Sequence, residues 1–252
     1  MRPNWWEERE AALRRYFGLP REASLVEAAE APRVTDAQRE HLQNFNFEWQ
    51  IIPGAESVPL DEDYIARLYP LRPGKFDEVG QWHETCSQAL REGHRRHQGR
   101  VIAVETTLKP RYLPQNRQYY GTLYGFDQSK DPFLGYLGRA GLLSNTRFGH
   151  NYASLRHFID VVNDDWRVRG LLPAGYRLTV CPPAVFNLVG TVFHREWSEA
   201  ESLELGFYRD AHGSAHCFAV GSNGPGDFSY ISPIEFESEW TMLGFRTALV
   251  TF

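Results

Sequence analysis

The run Val101-Ile-Ala-Val-Glu105 sets four apolar residues in succession and ends them on a carboxylate. There is no alternation, so a strand here is buried on both faces and needs a covering layer on each side. A chain of 252 residues can supply those layers from one large core, or from a core with a helical extension.

Helical signals precede and follow this run. Asn4 begins a predicted helix to about Phe17, with Glu7, Glu8 and Glu10 near its start and Arg14 and Arg15 near its end, as the helix dipole favours. Gly18 and Pro20 stop it. A short helix is expected at 24–30, before Pro32, and a third from Thr35 or Asp36 to about Gln43. Residues 45–52 read as extended, with Phe45, Phe47 and Trp49 alternating with polar neighbours. Asp61 opens a short helix ending before Pro70. A long helix is expected from about Lys75 to His97, with Phe76, Val79, Trp82 or His83, Cys86, Leu90 and Gly93 inward. Its end, with Arg91, His94, Arg95, Arg96 and His97, reads as solvated and basic.

Residues 109–149 are expected to be irregular. Tyr152 to about Arg169 is a predicted helix with Leu155, Phe158, Ile159, Val162 and Trp166 inward. Tyr176–Val180 is a predicted strand, and Cys181-Pro-Pro opens a helix to about Val192, since proline suits a first helical turn. Asp210-Ala-His-Gly suits a turn that pairs Phe207 with Cys217 and Leu205 with Ala219 on an apolar face. The same register pairs Tyr208 with His216 and Gly206 with Phe218 on the other face. Leu243–Thr251 is expected as one strand inside a sheet.

Helices and strands mixed without βαβα order indicate the α+β class, with N-terminal helices and a mixed or antiparallel sheet. The expected organisation is a mainly helical portion, 1–98, and an α+β portion, 99–252, that carries the site, within what can be one continuous domain. No apolar run approaches the about 20 residues of a membrane span, and the charged start lacks a signal peptide's apolar stretch. Three cysteines, Cys86, Cys181 and Cys217, form no disulfide framework or CxxC motif, which points to a reducing cytoplasm. A net charge of -5 argues against broad nucleic-acid binding.

Glu105 is the leading candidate for chemistry, because a carboxylate on a buried strand must be paired, hydrogen-bonded or protonated. One reading makes it a base or ligand anchor beside Lys109, Arg111, Arg117, Tyr119 and Tyr120. The arginines then hold an anionic group and the tyrosines stack on a base or sugar. The other makes it a structural ion pair at a strand end. Gly221-Ser-Asn-Gly-Pro-Gly-Asp-Phe-Ser is not a P-loop, since no Gly-Lys-Ser/Thr ending follows. It reads as a wide loop or an anion nest, with Asn223 and Asp227 open to a cation or to sugar hydroxyls. Cys181, at a helix start, is a nucleophile only with a histidine such as His150 or His194 beside it. Neither His83, Cys86, His94 and His97 nor Asp210, His212, His216 and Cys217 make a complete ligand set, so no metal centre is expected. No motif specifies a cofactor.

Three segments carry a family resemblance: Trp240-Thr-Met-Leu-Gly-Phe-Arg-Thr-Ala-Leu-Val, Gly175-Tyr-Arg-Leu and Phe218-Ala-Val-Gly-Ser-Asn. They resemble C-type-lectin-like domains of the formylglycine-generating-enzyme type. The resemblance implies a lectin-like arrangement in the C-terminal part. It does not extend to the oxidase chemistry: the Pro-Thr-Glu-Ala-Glu-Trp and Gly-Asn-Val-Trp-Glu-Trp runs and the paired copper-binding cysteines are absent.

The residues together suggest a soluble protein that binds a polar or anionic small molecule, glycan or nucleotide. The enzymatic alternative is a hydrolase or transferase with Glu105 as general base and His150 or His216 as its partner. A third alternative is a protein-interaction module that docks through Trp5 and Trp6, unless those residues dock the first helix on the body itself.

Overall fold

The computed structural model describes residues 4–26, 31–58, 91–107, 110–113, 117–120, 131–142, 147–199, 203–209, 214–221, 230–237 and 243–251. The N-terminal elements are α1 (Asn4–Phe17), α2 (Asp36–Asn44), β1 (Phe47–Ile51) and α3 (91–97). There follow β2 (Val101–Glu105), β3 (Pro110–Leu113), β4 (Arg117–Tyr120), α4 (Leu134–Arg139), α5 (Tyr152–Val168), β5 (Tyr176–Val180) and α6 (Pro183–Val192). The last strands are β6 (Leu203–Arg209), β7 (Ala215–Gly221), β8 (Tyr230–Pro233), β9 (Leu243–Phe245) and β10 (Thr247–Thr251). The class is α+β.

Local signals set several element ends. Gly18 adopts φ 67 after α1, the left-handed geometry of a helix stop. At α2 the Thr35 hydroxyl accepts from the Gln38 N–H while the Gln38 side chain accepts from the Thr35 N–H, a reciprocal cap. The helix expected at 24–30 is not found over 24–26, where the Leu25 carbonyl accepts from the Gly54 N–H instead of continuing a helical turn. Residues 27–30 lie outside the described residues, as do 59–90.

One four-stranded antiparallel sheet runs β1-β2-β10-β5. Ile102, Val104, Ala248 and Val250 pack on one face with Trp6 and Leu13 of α1 and Val185 and Leu188 of α6. Ala103 and Leu249 pack on the other with Phe158, Val162 and Trp166 of α5. The apolar run 101–104 is therefore buried on both sides, as its lack of alternation implies. Because β1 pairs with β2 and α1 joins the same core, the 1–98 and 99–252 portions share one sheet.

A second four-stranded sheet runs β8-β7-β6-β9. The hairpin register is the expected one: Leu205 opposes Ala219, Phe207 opposes Cys217, Gly206 opposes Phe218 and Tyr208 opposes His216. Its second face is buried too, since Phe218 and Val220 join the α6 side of the core. Gly206 is required there: a Cβ at this position would lie 2.9 Å from Pro183 Cγ.

Two expectations change. The single strand foreseen over 243–251 is two: β9 pairs in parallel with β6 at the edge of the second sheet, and β10 lies inside the first. The chain crosses between sheets at Arg246. The segment 109–149 also holds the β3–β4 ribbon and α4. Among the described residues no helix is long and apolar enough to cross a membrane.

Candidate functional site

Glu105 ends β2 fully buried. Its Oε2 accepts from Arg147 Nη1 at 2.8 Å, from Thr247 Oγ1 at 2.9 Å and from the Thr247 N–H at 3.2 Å. Its Oε1 lies 2.6 Å from Arg147 Nη2 as an ion contact off the N–H direction, without an aligned hydrogen bond. Arg147 also holds Asp131 by a fork, Nε to Oδ2 at 2.7 Å and Nη2 to Oδ1 at 2.6 Å. Burial pushes the Glu105 carboxyl up, but the charge and hydrogen bond of Arg147 and the charge of Arg246 outweigh it and hold the group below its ordinary value. A general base must reach its substrate. Glu105 is fully buried and is paired with Arg147, the arrangement that the structural alternative from the sequence describes.

Arg246 forms a second buried pair, with Nε and Nη2 on the Glu204 carboxylate at 3.1 and 2.9 Å. Its Nη1 donates to the carbonyls of Glu105 at 2.8 Å and Thr107 at 2.6 Å. This one side chain ties β6 of the second sheet to the end of β2 in the first. It belongs to the Gly-Phe-Arg segment that carries the family resemblance. Both pairs lie inside the core, where they join separate elements.

The other expected site residues are dispersed. His150 is buried, edge-on to Phe245 at 5.9 Å between ring centres, and precedes the Asn151 cap of α5. In the β3–β4 ribbon Arg111 opposes Tyr119, Leu113 opposes Arg117 and Pro110 opposes Tyr120. Lys109, Asn223, Asp227 and His212 lie outside the described residues. His216 faces Tyr208 across the hairpin. Cys181 is buried at β5's end and burial pushes its thiol up, the opposite of an activated nucleophile. Burial likewise pushes the Cys217 thiol up to about 12. Trp6 is fully buried in the body's own core and docks α1 there, while Trp5 is half-buried against the same core.

The end of α3 is not the solvated tip the sequence suggested. His94 and His97 are 1% and 5% exposed, while Arg95 and Arg96 face solvent. Positions 93, 94 and 97 share one helical face, and Gly93 brings it close enough for a Cβ to sit 3.7 Å from that of Ala184. Burial, then the charges of Arg100, Arg96 and Arg177, lower His97 from 6.5 to about 4. Burial and the charge of His97 lower His94 to about 3, against a backbone hydrogen bond at Pro53.

His97 lines a cleft of about 340 Å³ between α3, α5, β5 and the turn end of the β6–β7 hairpin. Ile159, Val180, Pro182, Phe207 and Val250 supply apolar lining. Among the described lining residues Arg96, Arg156, Arg167 and Arg177 stand at the exposed rim, with Asp160 and Asp164 the carboxylates. Arg167 pairs with Asp164 at 2.9 Å. The volume and the pairing of an apolar floor with a few convergent charges are those of a small-molecule site.

The buried Asn163 forms part of this wall, accepting from the Leu178 N–H at 2.8 Å and donating to the Leu178 carbonyl at 2.9 Å. Leu178 is on β5, an edge strand, and the amide occupies the groups another strand would use.

The helical contribution to this cleft was legible as a stripe, Tyr152, Arg156, Asp160, Asn163 and Arg167, spaced three or four apart. No sequence spacing linked it to Arg96, His97 and Arg177, which lie far off in the chain. Among the described residues no group of three or more His, Cys, Asp or Glu side chains could hold a metal ion. No protein family, curated protein or solved structure was found to match this chain.

Proposed function

We propose that this protein binds a small organic anion in the cleft between α3, α5 and β5. The reading keeps the anionic ligand class drawn from composition and motifs and moves it away from the 105–120 and 221–230 segments. The observation that carries it is the convergence of arginines from three elements on one apolar-floored cavity. Guanidinium groups from different directions select negative charge and orient it through paired N–H donors. His97 fits the reading: burial first, and then the positive charge of Arg100, Arg96 and Arg177, keep it neutral, and an anion would enter that same field.

The test is isothermal titration calorimetry of the full chain against benzoate, citrate and phenyl phosphate at low ionic strength, with Arg156→Ala and Arg177→Ala alongside. Both arginines are exposed, so the variants should fold. Binding of at least one anion, weakened about tenfold by each substitution, is the expected result. No binding, or binding indifferent to both substitutions, would refute the assignment.

A further inference from the structure

We infer that His194 is a pH-operated clasp: its doubly protonated ring ties the end of α6 to β1 at the edge of the first sheet, and loss of one proton frees that edge.

The contacts require two ring protons. His194 follows α6 and precedes the 3-10 turn Arg195–Glu199. Its Nδ1 lies 2.8 Å from Glu196 Oε1, and its Nε2 lies 3.2 Å from Glu48 Oε2 on β1. An ionised carboxylate only accepts, so each contact needs an N–H on its own side of the ring. The neutral ring has one N–H, and its other nitrogen would turn a lone pair toward an anion.

Charge gives the same count. Glu48 Oε2 also accepts from Arg9 Nη2 of α1 at 2.5 Å. Arg9 and a protonated His194 balance Glu48 and Glu196, whereas a neutral ring leaves one carboxylate in excess. The hydrogen bond from His194, with the charges of His194 and Arg9, outweighs burial and holds Glu48 below its ordinary 4.5, so Glu48 is an anion at neutral pH. The ring also stacks on the buried Trp197, with centres 4.8 Å apart and planes at 11°, and an indole face favours a cation. Arg246 rests on the same indole, but its charge is balanced by Glu204. The exposed Arg195 sends its Nε to the Thr191 carbonyl at 3.3 Å.

The two contacts differ in reach. Glu196 is two residues from His194 and Glu48 is 146 away. The shorter contact keeps the remaining proton, so deprotonation leaves Nδ1–H on Glu196 and breaks Nε2 from Glu48. The His194 backbone N–H stays on the Val189 and Gly190 carbonyls at 3.1 and 3.2 Å, so the residue remains anchored to α6 and only its link to β1 is released. That link is complete in acid and fades as pH rises, the reverse of the buried neutral pair His94 and His97.

Double-mutant cycles on the full chain, read by urea unfolding at pH 5.5 and 8.5, test the clasp. All three side chains are partly exposed, so the variants should fold. His194→Gln with Glu48→Gln should show a coupling of about fivefold in the folding equilibrium at pH 5.5 and under about twofold at pH 8.5. His194→Gln with Glu196→Gln should stay coupled at both. Effects of the other histidines cancel within each cycle. A Glu48 coupling that is absent at pH 5.5, or that persists undiminished at pH 8.5, overturns the inference. Nitrogen NMR of the ring in the unaltered chain checks it without a substitution: both nitrogens should carry protons at pH 5.5 and Nδ1 alone at pH 8.5. A proton on Nε2 alone at pH 8.5 would keep the β1 link and overturn the release.

Discussion

Arg246 lies over Trp197, its guanidinium carbon 3.9 Å from the ring centre, while the same group grips Glu204 with two hydrogen bonds. Both side chains of the ion pair are at most 1% exposed. A cation held dry over an aromatic face gains more than it would at the surface, and here it sits where the chain passes from β9 to β10. The arrangement holds two sheets in one geometry; buried ion pairs define a fold more than they add net stability.

Arg246→Ala would leave the Glu204 charge unpaired and take the donor from the Glu105 and Thr107 carbonyls. The expected cost is about 3–5 kcal/mol, read from urea unfolding. Arg246→Lys, which keeps the charge and loses the fork, should fall between this variant and the parent. A loss under about 1 kcal/mol for the alanine variant would contradict the role.

Glu105→Gln keeps the shape and removes the charge opposite Arg147. It should cost about 3 kcal/mol at pH 7. The folded carboxyl lies below its ordinary 4.5, so its contribution is complete above that value and is lost as pH falls through the lower folded value. The gap between parent and variant should therefore narrow in acid below pH 4.5. A gap that stays constant down to pH 3 would show that the charge is not what stabilises the site.

His94 and His97 make the opposite partner choice: they are buried neutral. Between 6.5 and the folded values of about 3 and about 4, the unfolded chain holds protons that the folded chain does not. Stability should fall as pH drops from 6.5 toward 4, by up to about 1.4 kcal/mol per pH unit for each histidine. His97→Gln should flatten that slope. Urea unfolding at pH 7, 6 and 5 provides the comparison, and an unchanged slope in the variant would reject the assignment.

Gly206→Ala tests the packing of β6 on α6. The added methyl meets Pro183 Cγ at 2.9 Å and the Cys181 carbonyl at 3.4 Å, so either the strand or the helix start must shift. The expected penalty is about 1–3 kcal/mol. A neutral effect on the thermal midpoint would mean that the hairpin face is looser than its contacts indicate.

The sequence by itself determined the elements whose signals are local. The 101–104 run required cover on both faces, the cap signal at Thr35 or Asp36 placed the start of α2, the apolar spacing from Leu155 to Trp166 placed α5's inner stripe, and the turn chemistry set the Leu205–Ala219 register. Each rests on periodicity or on bonding within a few residues. Tertiary structure decided the rest. Glu105 meets Arg147, 42 residues away, only after α4 and the start of α5 fold back over β2. Arg246 and Thr247 interrupt the apolar run over 243–251, but that the chain changes sheets there depends on which sheet each half joins. Helix position 97 looked solvated because its neighbours are arginines, yet helical geometry points it the other way, against the body. The cleft joins residues from α3, α5 and β5 that no spacing rule connects, because their proximity comes from packing between layers and not from the chain's own period.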